Sequence, residues 1–316
     1  MGTTTVLLLL AVIQAAMCKI STDPRSFFPG IEGNLTKIVW AHAVNSQSEL
    51  DKALTSDDVM MLEADVVMGN VNNTGNGTSS AIPIMAHPPA TESDLSLEEF
   101  LRNMYEKNVT KGIKLDFKSI EAFEASRPII GKARTNLKFP VFLNADILPG
   151  PVEATGTPVD PKAFLAGANQ EIPECTLSVG WTTRYGTEVN VTEGRYTAEQ
   201  VQKMLDTLSE NKVTQSITYP VRAVFAAADI EIIKTLMKNS SATNNATLTI
   251  WSSEGDNVDP VQLSKLIKEI GFDKVYVDVP EDLMKKLDFS GVSALRSTLI
   301  MTLGPLFVTL LLSRML

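Results

Sequence analysis

The sequence predicts an α/β fold, a (β/α)8 barrel that spans residues 30–289. Runs of nearly continuous apolar character alternate with segments whose apolar residues recur at three- and four-residue spacing, the pattern of buried parallel strands between amphipathic helices. The alternation fills about 260 residues, the usual size of a barrel with eight such units. The main competitor is a doubly wound sheet, but no Gly-rich phosphate loop follows any of the predicted strands.

Strand and helix candidates follow one another along the chain. The strand candidates read KIVWAH, VMMLEADVV, GIKLDF, PVFLNAD, TLSVGW, VRAVFA, LTIW and KVYVDV. The helix candidates between them read SQSELDKALT, SLEEFLRNMYEK, KSIEAFEASRPIIGKA, TAEQVQKMLDTLSEN, DIEIIKTLMKN and PVQLSKLIKEIG. We expect the strands to be buried on both faces and the helices to pack their apolar sides against them.

One segment departs from this alternation. The stretch GNVNNTGNGTSSAIPIMAHPP, residues 69–89, is rich in Asn, Gly, Ser and Thr before a short apolar run that ends at His87. Such a composition is typical of a surface loop. We expect this loop to leave the barrel after the second strand and to return by an extra strand to the barrel mouth.

Composition and the N-terminus indicate a secreted protein. The formal net charge is −9, and no block of Lys or Arg provides the basic surface that nucleic acid requires. Residues 1–18 contain a short apolar run followed by small residues, which is typical of a signal peptide cleaved after Ala16 or Cys18. Cleavage after Cys18 leaves Cys175 as the only cysteine, so we expect no intrachain disulfide.

Glycosylation sequons agree with secretion. N-x-S/T triplets without a central proline begin at Asn34, Asn72, Asn76, Asn108, Asn190, Asn239 and Asn245. Most of them lie in stretches that read as loops, and we expect a glycoprotein.

The C-terminal segment, residues 290–316, predicts attachment to a membrane. Its apolar run, residues 299–312, is interrupted by a Gly-Pro pair and is shorter than the about 20 residues of a spanning helix. Small residues and a brief spacer precede the run, which favours a GPI-anchor signal with Ser290 as the attachment residue and Gly291 or Ser293 as alternatives. A short transmembrane anchor is the other interpretation.

Polar residues and two tryptophans lie at the C-terminal ends of the strand candidates. They are His42, Glu63, Asp65, His87, Lys114, Asp116, Lys118, Asn144, Asp146, Trp181, Trp251 and Asp278. Active sites of (β/α)8 barrels lie at this face and are assembled from the ends of several strands. Both histidines of the chain belong to the set. The sequence therefore predicts a site at the barrel mouth.

Three of these residues suggest a metal site. Glu63 and Asp65 are two apart on a strand, so their side chains point the same way. Two carboxylates in one small volume are unfavourable unless a cation lies between them. With Asp116 as a third, the ligands are all oxygens, which favours Mg²⁺ or Ca²⁺ over zinc.

Each residue also has a plainer interpretation. Most Glu-x-Asp pairs are solvated, and a histidine at a strand end is more often structural. Trp181 and Trp251 are more often part of the barrel packing than in contact with a substrate. The joint occurrence at equivalent strand ends is what favours a functional site.

The order His, Glu-x-Asp, His, Asp-x-Lys at successive strand ends resembles the phosphodiesterase barrel superfamily. That group includes glycerophosphodiester phosphodiesterases, phosphatidylinositol-specific phospholipase C and the sphingomyelinase D enzymes of spider venom. The stretches WAHAVNS, LEADV, MAHPP and GIKLDFKS are similar to the menorin family, secreted or membrane-anchored proteins placed in the same superfamily. The resemblance extends from Lys37 to Val279.

This resemblance implies roles for individual residues. His42 and His87 would be an acid/base pair, and Lys118 would contact the phosphate. The ligands of the divalent metal, Mg²⁺ or Ca²⁺, would be Glu63, Asp65 and Asp116. Candidates for further contacts to the substrate are Asn45, Lys114, Asn144, Trp181 and Trp251.

The neighbours of the two histidines depart from the pattern of the glycerophosphodiesterases. Those enzymes follow the first histidine with Arg-Gly and the second with Asp, whereas this chain has Ala43-Val44-Asn45 after His42 and Pro88 after His87. The arginine that would meet the phosphate is therefore missing from its usual place, and Asn45 or Lys118 would have to replace it.

Two functions are compatible with these residues. In the first, the protein is an extracellular phosphodiesterase that acts on a small phosphodiester or a lipid, and water or a hydroxyl of the substrate is the attacking group. In the second, it is a cell-surface recognition protein that keeps the barrel and binds a receptor, as menorin relatives do in the patterning of dendrites. The retained histidines and carboxylates favour chemistry. The loss of the usual neighbours favours recognition.

Overall fold

The computed structural model describes residues 22–72, 80–107, 110–240 and 245–290. The strands are β1 Trp40–Ala41, β2 Met61–Val71, β3 Ile82–Met85, β4 Glu92–Ser93, β5 Gly112–Phe117, β6 Val141–Pro149, β7 Thr176–Thr182, β8 Ile217–Arg222, β9 Thr247–Trp251 and β10 Val275–Asp278. The α-helices are α1 Pro24–Phe27, α2 Gln47–Thr55, α3 Leu97–Glu106, α4 Ile120–Ala133, α5 Pro161–Glu171, α6 Ala198–Glu210, α7 Ala223–Ala228, α8 Ile230–Ser240, α9 Pro260–Ile270 and α10 Glu281–Met284. Short 3-10 helices occupy Pro29–Ile31, Leu35–Lys37, Arg134–Asn136 and Thr187–Val189.

Eight of the strands form a nearly closed parallel barrel. The order of neighbours is β1-β2-β5-β6-β7-β8-β9-β10, and every neighbouring pair is parallel. The predicted (β/α)8 fold is therefore confirmed. A seam remains between β10 and β1, which share no ladder in the part of the chain that is described. Across the seam, Leu35 N–H donates to the Phe272 carbonyl at 2.7 Å, and the rings of Trp40 and Tyr276 lie 6.0 Å apart.

The extra strand predicted after the second unit is present. Strand β3 runs antiparallel to β2, with Met85 opposite Val66, and β4 adds a short parallel pair farther along β2. Ala86 N–H donates to the Asp65 carbonyl at 3.1 Å. The segment therefore returns to the level of Asp65 at the mouth, directly before His87.

Helix starts follow from local sequence. Most of the helices begin after a side chain that accepts a hydrogen bond from a backbone N–H of the first turn. Examples are Ser46, Ser96, Ser119, Asp160, Thr197 and Asp259. At α6, the Gln200 side chain also accepts from the Thr197 N–H, which completes a capping box. These caps fix where each strand-to-helix connection ends, and those connections build the barrel mouth.

Most of the core lies in two layers. The larger lies between the strands and the helices. The smaller fills the N-terminal end of the barrel, where Met61, Phe142 and Tyr276 meet side chains from the segment before β1. Those side chains are Phe28, Ile31, Leu35 and Ile38. The sequence predicted that the folded unit starts at residue 30. It begins earlier in the structure, because Phe28 and α1 help to close the barrel.

The sixth strand and the helix after β6 differ from the prediction. The sixth strand is Ile217–Arg222, whereas VRAVFA is mostly helical, because its alanines favour α7. Pro220 disfavours a central strand, but the pairing with β7 ends at Thr218, so the missing N–H removes no bond to β7. Helix α5 is absent from the prediction, since Phe164 and Leu165 are its only large apolar residues.

The predicted ends and sequons are only partly covered by the structure. The signal peptide and residues 291–316 lie outside the described residues, and Ser290 is the last residue described. No helix within the described ranges is long and apolar enough to cross a membrane. Of the sequon asparagines, Asn34 is half-buried, Asn76 and Asn108 lie outside the described residues, and those exposed are Asn72, Asn190, Asn239 and Asn245. Asn239 lies in α8 rather than in a loop.

Candidate active site at the mouth of the barrel

Three neighbouring strands bring the predicted polar residues side by side. In the ladder between β2 and β5, Glu63 pairs with Lys114 and Asp65 with Asp116, and in the next ladder Asp116 pairs with Asn144. Alternate residues of a strand share one face, so the members of this set project together into the barrel. The residues that the sequence predicted from their spacing along the strands thus form a single cluster.

Glu63, Asp65 and Asp116 form the centre of this cluster. One oxygen from each lies within 4.8 Å of the others, a spacing that could hold a metal ion. Glu63 and Asp65 are 2% and 4% exposed, so both carboxylates are withdrawn from water. Burial, together with the charge of Asp65, raises the pKa of Glu63.

Lys118 lies between two of these carboxylates. Its Nζ is 2.7 Å from Asp65 Oδ1 and 2.6 Å from Asp116 Oδ2. Burial alone would lower the pKa of Lys118, but the carboxylates of Asp116, Asp65 and Glu63 outweigh it and raise that pKa. In Asp116 burial acts to raise the pKa, and Lys118 reverses the effect and lowers it. The ammonium therefore acts as a counterion for both aspartates.

Two asparagines hold the same aspartates. Asn45 Nδ2 donates to Asp65 Oδ2 at 2.8 Å, and its Oδ1 accepts from the Asp65 N–H at 2.9 Å. On the other side, Asn144 Nδ2 donates to Asp116 Oδ1 at 2.6 Å, and Ser178 Oγ donates to Asn144 Oδ1 at 2.6 Å. Both amides, predicted to contact a substrate, hold Asp65 and Asp116 in position in this structure.

His42 reaches the cluster from β1. Its Nδ1 lies 3.1 Å from Asp278 Oδ2 and 3.6 Å from Glu63 Oε2. The hydrogen bond with Asp278 raises the pKa of His42 to about 9, against burial and with help from Glu63, so the ring is an imidazolium at neutral pH. More than half of the side chain, 56%, is exposed. The next residue, Ala43, has φ 55°, a conformation uncommon outside glycine, and its N–H donates to Glu63 Oε2 at 2.9 Å.

His87 is placed differently from His42. The backbone returns to the mouth beside Asp65, but the imidazole is exposed, and its Nδ1–H donates to the Pro88 carbonyl at 2.7 Å. Among the described residues, this imidazole forms no hydrogen bond or ion pair with the carboxylates. The two predicted acid/base residues therefore share the same end of the barrel, but only His42 belongs to the hydrogen-bonded network.

Two further ionisable groups face the cluster. Lys114 is 4% exposed, and its ammonium makes no hydrogen bond or ion pair within the described ranges, although it interacts electrostatically with Glu63 and Asp116. Asp146, two residues beyond Asn144 on β6, received no role in the sequence prediction. Burial and the nearby Asp116 raise the pKa of Asp146 to about 7, which places it among groups able to exchange protons at neutral pH.

The two tryptophans predicted to meet substrate have separate environments. Trp181 is 2% exposed and lies in the layer between strands and helices, against the rings of Tyr196 and Tyr219. The prediction that it lines the mouth is therefore wrong, because the strand alternation turns it outward. Trp251 is half-buried at the end of β9, in register with Asp278, and remains at the mouth.

The sequence prediction missed Arg222. It ends β8 and donates from Nε and Nη2 to both oxygens of Asp256, at 2.9 and 2.8 Å. The guanidinium also lies 5.0 Å from the ring centre of Tyr185 and 5.2 Å from that of Trp251. The misplaced sixth strand concealed Arg222, since a strand read as VRAVFA puts the arginine at its start rather than at the mouth.

Comparison with known proteins now places the chain. A family model, the Menorin N-terminal domain, matches residues 34–284. The chain belongs to the menorin family. Human Protein FAM151B (Homo sapiens) is 37% identical to this menorin-family chain over 245 residues, which cover 78% of this chain and 83% of that protein.

Two solved structures share a distant likeness with this menorin-family chain. The GH53 catalytic domain of Ignisphaera aggregans has a TM-score of 0.44 at 11% identity and covers 79% of this chain and 86% of that one. The GH26 domain of an endo-beta-mannanase/endo-beta-glucanase from Prevotella bryantii has a TM-score of 0.43 at 10% identity and covers 83% and 91%. At these scores, neither likeness bears on the chemistry of the site.

Proposed function

We propose that this menorin-family protein is an extracellular, divalent-metal-dependent phosphodiesterase-like protein whose active site is the cluster at the barrel mouth. The observation that carries the proposal is the meeting of Glu63, Asp65 and Asp116 within 4.8 Å, beside a histidine held as its cation. This combination supplies ligands for a hard cation and a proton donor in one site. We also propose that this protein belongs to the phosphodiesterase barrel superfamily.

The three carboxylates suit Mg²⁺ or Ca²⁺. All their donor atoms are oxygens, the preferred ligands of both ions. Burial and the charge of Asp65 raise the pKa of Glu63, and Glu63 Oε1 accepts no hydrogen bond from any described residue, so this oxygen is available to an ion. A bound ion would polarise a phosphate oxygen and neutralise developing charge there.

The remaining residues of the site have roles that follow from their protonation. His42 carries a proton at neutral pH, and Asp278 fixes its ring, so His42 can donate that proton to a leaving-group oxygen. His87, on the facing segment, is the candidate base. Lys114, Lys118 and Trp251 are the candidates to contact an anionic phosphodiester, since two are cationic and the third lines the mouth.

The proposed location is the cell surface. The sequence features behind it are the signal peptide pattern, the sequons and the C-terminal segment with Ser290 as the GPI attachment residue, or alternatively a short membrane anchor. The proposed substrate is a small phosphodiester or a lipid at that surface. Nucleic acid is excluded from the proposal by the net charge of −9 and the absence of a basic block in the sequence.

A second candidate function is non-catalytic recognition of a cell-surface receptor. The observation that favours it is the state of His87, which is exposed and hydrogen-bonded to the neighbouring Pro88 carbonyl rather than to the cluster. In this case the glycosylated exterior of the barrel would bind the partner, and the carboxylates would be retained for structure.

Calorimetric titration of the purified protein with Mg²⁺ and with Ca²⁺ separates the two functions. We expect one saturable site that Glu63→Gln weakens at least about tenfold, because the ion loses a charged ligand. Glu106→Gln, at an exposed glutamate of α3, is the matched control and should change nothing. Glycerophosphodiesters and phospholipids are then assayed with the ion that binds, and His42→Ala should keep the ion but abolish turnover. Absence of binding to either ion would refute the catalytic proposal.

A further inference from the structure

The position of Lys118 raises a question about the proposed metal site. The Lys118 ammonium already bridges Asp65 and Asp116, at 2.7 and 2.6 Å. A divalent ion would need the same oxygens, at about 2.0–2.6 Å for Mg²⁺ or Ca²⁺. An ammonium and an ion that share these oxygens would be adjacent like charges in a site shielded from water, which is strongly unfavourable.

The two aspartates have little capacity left while Lys118 is in place. The other oxygen of Asp65 accepts from Asn45, and the other oxygen of Asp116 accepts from Asn144. Lys118 is the donor best able to leave, because its side chain is 24% exposed and the asparagines are fixed by further hydrogen bonds. Its backbone is anchored through the Val66 carbonyl, so only the side chain would have to move.

We propose that Lys118 and the divalent ion occupy the space between Asp65 and Asp116 alternately, so that binding of the ion releases the Lys118 ammonium to an anionic ligand at the mouth. This inference rests on the proposed function, since it assumes an ion at the three carboxylates. Once the ion has replaced Lys118, the site offers two positive charges to an anionic ligand, the ion and the released ammonium. Ion and anion therefore bind with positive cooperativity.

A second lysine points independently to an anionic ligand. Lys114 is 96% withdrawn from solvent, faces Glu63 across the ladder and has no hydrogen-bond or ion-pair partner among the residues described. The carboxylates of Glu63, Asp116 and Asp146 act on this ammonium through their charge but form no hydrogen bond with it, so an anionic ligand at the mouth would supply the hydrogen bonds that it lacks. Lys114 is 4% exposed and Lys118 24%, so Lys114 has less room to move and serves as the fixed positive charge next to a mobile one.

The test is a titration of the purified protein with Mg²⁺ and with Ca²⁺, comparing Lys118→Met with the parent chain. If Lys118 competes with the ion, its removal tightens binding by about tenfold or more. Lys114→Met is the matched control, because it removes the same charge from the same site without vacating the ligand oxygens. It should tighten binding by much less. Equal or weaker affinity in Lys118→Met, or an equal effect of both substitutions, overturns the inference.

Inorganic phosphate provides the second arm, with Mg²⁺ as the ion. Phosphate should tighten Mg²⁺ binding to the parent chain about fivefold or more, and this coupling should be clearly smaller in Lys118→Met, where only the ion and Lys114 meet the phosphate. Lys118→Arg, which keeps the charge, should bind the ion no more tightly than the parent. Coupling of undiminished size in Lys118→Met overturns the inference.

Folding of the variant is checked by thermal melting with and without the ion. Lys118→Met should melt lower than the parent in chelator and regain more than the parent does when the ion is added. If Lys118→Met folds only with the ion, Lys118→Gln is titrated instead under the same criteria. If the parent fails to bind but Lys118→Met binds, Lys118 does compete for these oxygens, but the release of Lys118 by an ion and the metal dependence of the proposed function both fall. If neither binds, both fall.

Discussion

Asn45→Ala tests whether the asparagine after His42 is a structural support of the acid cluster. The substitution removes two hydrogen bonds, one from Asn45 Nδ2 to Asp65 Oδ2 and one from the Asp65 N–H to Asn45 Oδ1. Asp65 is 4% exposed, so neither the carboxylate oxygen nor the N–H gains a full replacement from water. The backbone around Asn45 stays fixed by Ser93, whose hydroxyl donates to the Asn45 carbonyl.

The magnitude follows from the kind of bond that is lost. A hydrogen bond to a charged group contributes about 1.5–3 kcal/mol and a neutral one about 0.5–1.5 kcal/mol. Because Asn45 is only half-buried, some water can enter, and we expect the lower half of the combined range, a loss of about 2–3 kcal/mol in the free energy of unfolding. For a chain of this size, this lowers the melting temperature by about 4–12 °C.

Urea denaturation followed by circular dichroism measures the loss, with thermal melting as a second estimate. Asn136→Ala is the control, because Asn136 is exposed and its side chain makes no hydrogen bond to a described residue. The control should stay within about 0.5 kcal/mol of the parent chain. If Asn45→Ala also stays within that margin, Asn45 does not support Asp65, and its predicted role in substrate contact regains weight.

Three further predictions concern other residues of the mouth. The NMR titration of His42, one of two histidines in the chain, should give a pKa of about 9, and Asp278→Asn should return it towards the ordinary value near 6.5. Because this pKa is raised, the interaction of His42 with Asp278 stabilises the fold fully below pH 6.5 and loses that effect as the pH rises through about 9. Asp278→Asn should therefore destabilise the protein at pH 6 and not at pH 10. An equal loss of stability at both pH values would contradict the assignment. Gly180→Ala places a Cβ 2.7 Å from Pro220 Cγ and 2.8 Å from Asp146 Oδ1 and should lower the free energy of unfolding by about 1–3 kcal/mol in urea, whereas a neutral effect would mean that both the ring and the carboxylate can move. Arg222→Met leaves the buried carboxylate of Asp256 without its partner and should destabilise the protein by about 3–5 kcal/mol. If the isolated charge is the cause, the double variant Arg222→Met, Asp256→Leu should recover most of that stability.

The alternation of apolar strands and amphipathic helices was sufficient to predict the barrel. A strand that is buried on both faces must be apolar along its whole length, so its local sequence is enough to identify it. The prediction failed where local signals conflict. Pro220 concealed the sixth strand, and the alanines that follow it form α7 although they read as a continuation of a strand.

For the site, the sequence by itself determined which residues share a row. The two-residue period aligned Glu63 with Asp65 and placed Asp116 at the matching end of the next barrel strand, because side-chain direction along a strand depends on spacing alone. The tertiary structure decided what each side chain meets. Lys118 bridges Asp65 and Asp116, and His42 pairs with Asp278, 236 residues away, across the seam where the barrel closes. These contacts depend on the register between strands and on how β10 approaches β1, quantities that are fixed only when the whole barrel packs.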